Sequence, residues 1–127
     1  MQERKLFEYA VIRIVPRVER EEFLNVGVIL YCRDQQFLEV LFSIEEKRLV
    51  LFCGALDMND LQERLCSFEK ICKGSADGGP IAKLDTASRF RWLTANRSTI
   101  IQTSQVHPGL CIDAKTTLQK LFEQLVL

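Results

Sequence analysis

Residues 25–32, NVGVILYC, show no polar alternation beyond Asn25. A half-exposed strand alternates polar and apolar residues, and this run does not. It reads as a strand buried on both faces. Charged PRVEREEF (16–23) precedes it and polar RDQQ (33–36) follows it. The run therefore has to enter and leave a core abruptly, with Gly27 in its middle as a place for a bulge, a strong twist or close packing.

The neighbouring segments fit around that strand. EYAVIRIV (8–15) sets Tyr9, Val11, Arg13 and Val15 on one face and Ala10, Ile12 and Ile14 on the other. Pro16, which lacks an N–H, ends it. FLEVLF (37–42) predicts a third strand, joined to the second by RDQQ as an antiparallel hairpin. Helical periodicity then takes over. Residues 44–52 suit a short helix. Asp57 can cap a second, with Leu61, Leu65, Phe68 and Cys72 as its apolar stripe. GSADGGP (74–80) must break it. Leu84 to Arg97 contain a third helix capped by Asp85 or Thr86. STIIQT (98–103) suits a short strand, and HPG (107–109) a turn. Asp113 caps a last helix with Leu118, Leu121, Phe122 and Leu125 on one stripe. This order predicts one α+β domain over 1–127: a mainly antiparallel sheet of about four strands, with helices packed on one face.

Composition excludes some partners and few reactions. The 17 basic and 17 acidic residues cancel, so no global charge draws the chain to nucleic acid or to an anionic membrane. No apolar segment approaches the length of a membrane span, and residues 2–5, QERK, are polar. A cytoplasmic setting is the expectation. Five cysteines at irregular spacing, with no CxxC, read as reduced core thiols. With a single histidine, no metal site is expected. Neither GxxxxGKS nor GxGxxG occurs, and no cofactor is expected.

Three constellations merit a structural address. Arg89, Arg91 and Arg97, with Ser98 and Thr99, offer guanidinium and hydroxyl groups of the kind that bind anions or acidic partners; the competing reading is a solvated helix face. On a helix Arg89 and Arg91 point about 200° apart, so Arg97 with one of them is the workable pair. Arg13 sits mid-strand among apolar neighbours and needs a partner or an outward path. An ion pair with Glu39, a pocket-lining role and exposure at a rim compete for it. His107 and Cys111 lie four apart across Pro-Gly. A buried inert cysteine competes there with a thiol nucleophile.

Three long stretches, YAVIRIVPRVEREEFLNVGVILYC (9–32), GPIAKLDTASRFRWLTANRSTIIQTSQVHPGLC (79–111) and LQKLFEQL (118–125), together resemble DUF3037, a bacterial family of unknown function. The resemblance implies no catalytic residues. It implies an accessory role beside a HipA-like, kinase-related protein. A non-enzymatic interaction module, a domain binding a small anion or nucleotide, and weak patch-limited nucleic-acid binding are the readings carried forward. The oligomeric state is not fixed by the sequence.

Overall fold

The computed structural model describes residues 3–52, 57–95, 97 and 99–127. At its centre is β1 (Lys5–Ile14), paired antiparallel on both edges. One edge meets β2 (Leu24–Cys32). The other meets β4 (Ile101–Thr103) and β5 (His107–Cys111) in succession. β3 (Phe37–Phe42) pairs with the far edge of β2, giving a five-stranded antiparallel sheet. The β2–β3 hairpin closes through RDQQ as expected, with the Gln36 N–H donating to the Arg33 carbonyl at 3.0 Å.

Four helices complete the fold: α1 (Glu46–Phe52), α2 (Met58–Lys73), α3 (Thr86–Leu93) and α4 (Ala114–Leu125). Aspartates cap three of them. Asp57 accepts from the N–H groups of Asn59 and Asp60, Asp85 from Ser88, and Asp113 from Thr116. Each cap removes an orphan donor from a first turn. α3 lies within the expected 84–97 stretch and stops at Leu93. The Thr94 hydroxyl donates to the Phe90 carbonyl at 2.8 Å and closes that end.

The α+β class and the antiparallel sheet are as expected, but the helices divide between two faces. α2 and α3 bring Leu61, Leu65, Phe68, Phe90 and Leu93 against Ala10, Ile12, Ile14, Ile29 and Leu38. α4 brings Ala114 and Leu118 against Phe7, Val28, Leu30 and Cys32 on the opposite side. The reason lies in β2 itself. Its alternate side chains are apolar on both sides, so one layer of helices would leave half of them in water.

The sheet also has five strands rather than about four. His107–Gly109, expected as a turn, belongs to β5. Pro108 is tolerated because β5 is an edge strand. Gly109 lies directly under the Phe7 ring, where a Cβ would come within 2.5 Å of Cζ.

Two local devices fit β1 to its neighbours. Pairing with β2 slips between Ile12↔Gly27 and Arg13↔Asn25, leaving Val26 as the extra residue of a bulge. A Cβ on Gly27 would fall 2.7 Å from the Leu41 carbonyl oxygen, so β3 approaches there as closely as glycine allows. On the other edge, β4 ends before β5 begins. Ser104, buried in that gap, donates its N–H to the Val11 carbonyl and accepts the Val11 N–H on Oγ, both at 2.8 Å. A side chain thus completes the ladder where the backbone departs from it.

Ser104→Ala leaves the buried Val11 N–H without its acceptor and should cost about 1–3 kcal/mol. Gly27→Ala should cost a similar ~1–3 kcal/mol through overpacking against β3. Both are read as a lower denaturant midpoint at unchanged slope; a wild-type midpoint would contradict the corresponding assignment.

Candidate functional site

The singled-out arginines do not converge. Arg13 lies on β1 opposite Gln102 of β4 and Asn25 of β2. Its guanidinium carbon sits 4.0 Å above the Phe23 ring. Its Nε and the Oδ1 of Asn25 are both buried and lack hydrogen-bond partners among the described residues. The Asn25 amide donates to the Leu125 carbonyl at 3.1 Å, and Arg48 donates to the Val126 carbonyl at 3.1 Å. These two bonds tie the end of α4 to the bulge and to α1. Glu39 is on β3, opposite Leu30, and exposed. β2 lies between β1 and β3, so the Arg13–Glu39 ion pair is not formed.

Arg89 and Arg91 diverge as their helical spacing demands. Arg89 turns back to donate to the Leu84 carbonyl at 2.9 Å and packs beside Gly74, at the end of α2. Arg91 makes a two-pronged pair with Glu8 of β1, Nη1 to Oε2 at 2.5 Å and Nη2 to Oε1 at 2.9 Å. That bond raises the guanidinium pKa above its ordinary value. Arg97, beyond the end of α3, lays its guanidinium 4.0 Å over the Trp92 ring and donates to the Trp92 carbonyl. Thr99 is exposed, its hydroxyl donating to the Ile101 carbonyl at 2.6 Å. Ser98 lies outside the described residues.

Two concavities flank α3. Beside its N-terminus, a cleft of about 780 Å³ is lined by Leu6, Glu8, Tyr31, Arg33, Asp85 and Arg91 among others. Its charges are mixed, and the Glu8–Arg91 pair consumes two of them. At the other end, a hollow of about 260 Å³ opens between α2, α3 and β4, with Trp92, Arg97 and Thr99 on its wall. Of the predicted cluster, Arg97 and Thr99 share this hollow.

His107 and Cys111 are not brought together. They occupy opposite ends of β5, roughly 13 Å apart at the rise of a strand. His107 is exposed and its ring lies 5.3 Å from that of Tyr9. Cys111 is buried; burial first, then the neighbouring Cys32 thiol, pushes its pKa up. Burial likewise pushes the Cys72 thiol up to about 12. Cys53 lies outside the described residues. Among the described residues, no group of three or more His, Cys, Asp or Glu side chains could hold a metal ion. None of their helices is long and apolar enough to cross a membrane.

Sequence reasoning missed two features. Glu8 was open to notice as a carboxylate in an apolar strand, but its partner Arg91 is 83 positions away. The exposed Leu6 stands before the point where the predicted strand began.

The family model for DUF3037, a protein family of unknown function, matches residues 9–126, and the chain belongs to that family. No curated protein and no solved structure matches it.

Thiol chemistry gives a direct check on Cys111. A raised pKa keeps a thiol protonated, and so unreactive, until the pH climbs to that raised value. Burial also denies the reagent access, so iodoacetamide at mildly alkaline pH should modify exposed Cys66 and spare the buried Cys32, Cys72 and Cys111 until denaturant is added. Peptide mass mapping reads the pattern, and prompt labelling of native Cys111 would reverse the assignment.

Proposed function

We propose that this chain is a non-enzymatic accessory protein that binds a protein partner, with a HipA-like, kinase-related protein as the candidate. The setting proposed for it is the bacterial cytoplasm. The observation that carries the reading is an uncovered end of the sheet. Leu6 and Leu110 are directly opposed across β1 and β5, yet are 57% and 61% exposed. By strand alternation Leu6 faces the same side as Ala10 and Ile12, which α2 and α3 cover farther along. Ile112, just past β5, is also exposed.

Apolar side chains opposed on an open sheet face are the usual centre of a protein contact, and charged groups its usual rim. Here the rim is Glu8, Arg91 and Arg33, which line the adjoining cleft. The outer edge of β5 adds backbone groups that no described strand pairs. None of this requires a cofactor or a reactive side chain.

The test uses the purified chain and the HipA-like protein of the same organism, titrated against each other by calorimetry. The wild-type chain should form a complex. Leu6→Glu with Leu110→Glu should weaken it by more than about tenfold, as loss of apolar anchors does, while the circular dichroism spectrum is retained. Absence of a wild-type complex at micromolar concentrations, or undiminished binding by the double variant, would overturn the reading.

A further inference from the structure

We propose that the hollow between α2, α3 and β4 binds a small amphipathic carboxylate, with Arg97 gripping the head group and the apolar floor taking the body. The floor is made by Phe68, Ile71, Leu93 and Ile101. Phe68, Ile71 and Leu93 are buried core residues that show one side to the cavity. Ser67 and Thr103 add hydroxyls to the wall. Apolar surface with a few polar groups is the usual make-up of a small-molecule site.

Arg97 supplies the reason for a negative head group. Every Asp and Glu of the chain lies among the described residues, and none forms an ion pair with Arg97. Arg64, on the opposite wall, is already paired with Asp60 at 2.9 Å. Arg97 is instead held by the face and the carbonyl of Trp92. It is half-buried, and that burial lowers its pKa with no anion to offset it. A partly desolvated cation gains from a counter-charge brought beside it.

Size and charge narrow the ligand. The hollow's 260 Å³ lies below the ~300–1,000 Å³ usual for drug-sized ligands. That space favours a ligand smaller than a nucleotide. One uncompensated guanidinium matches one planar carboxylate in a two-pronged contact; a phosphate dianion would be left half-neutralised. The ligand class is therefore a monocarboxylate with one aromatic or branched aliphatic body. The site lies at the opposite end of α3 from Leu6 and Leu110, so it stands or falls independently of the protein-partner reading.

Trp92 is the chain's single tryptophan, so its emission reports on this hollow alone. Phenylacetate should shift or quench that emission saturably at millimolar concentrations or below. Phenylacetamide, the same body without the charge, should bind at least about tenfold more weakly, and Arg97→Gln should impose a similar loss on phenylacetate. The unfolding midpoint of Arg97→Gln is measured alongside. The comparison of acid with amide in the wild-type protein stands even where that variant does not fold. No saturable change with phenylacetate, equal affinity for acid and amide, or wild-type phenylacetate affinity in a folded Arg97→Gln protein would each overturn the proposal.

Discussion

The fold depends on β1 having its backbone satisfied along both edges at once. A central strand that carries apolar residues on both faces has no exposed side to give to water. Its N–H and C=O groups must therefore be paired throughout. β2 serves one edge nearly continuously. The other edge is assembled from two short strands, and the join would be a defect without Ser104. That serine supplies one backbone donor and one side-chain acceptor to Val11. The bulge at Val26 serves the opposite need, letting the ladder continue while β2 bends toward its crowded approach to β3.

From a two-faced central sheet follow two helical layers, and from their lengths follow the open places. β1 runs for 10 residues, about 33 Å at strand rise. α3 has 8 residues and spans about 12 Å. So short a helix covers only part of the sheet. On the side of its N-terminus lies the cleft lined by Leu6, Glu8 and Asp85, which Arg91 of the helix itself borders through its pair with Glu8. At its C-terminal end, Trp92 of the helix and Arg97 beyond it border the hollow against α2. The two candidate surfaces are thus the two consequences of one short helix, which Asp85 starts and Thr94 stops.

Much of this was legible in the sequence where the cause is local. The strand Phe37–Phe42, the three aspartate caps and the RDQQ hairpin are set by nearest-neighbour chemistry. The divergence of Arg89 and Arg91 is a matter of helix pitch alone. What escaped is set by pairing across the chain. The apolar pattern of β2 already demanded cover on both faces, whereas which helix covers which face depends on how the chain crosses the sheet. The pairing of β5 with β1 is equally non-local: HPG has the composition of a turn, and only its position beside Phe7 makes it a strand. The Arg13–Glu39 pairing required β1 and β3 to be neighbours, and β2, as the shared partner of both, keeps them apart.

Three arginines then show how the same cation can be housed differently. Arg91 has a carboxylate in two-pronged contact, so its charge is cancelled at the surface. Arg13 and Arg97 lie over aromatic rings, each 4.0 Å from the ring centre. A ring face attracts a cation by roughly 0.5–2 kcal/mol, and it does so through a quadrupole that leaves the charge in place. Such contacts hold a guanidinium in position without neutralising it. On a chain with formal net charge zero, they create fixed points of positive potential that the overall balance of residues conceals. Arg13 is crowded by the bulge and by Phe23, whereas Arg97 borders an open, apolar-floored hollow. The binding role proposed for Arg97 and not for Arg13 therefore rests on the space beside each guanidinium, since both keep their charge over an aromatic ring.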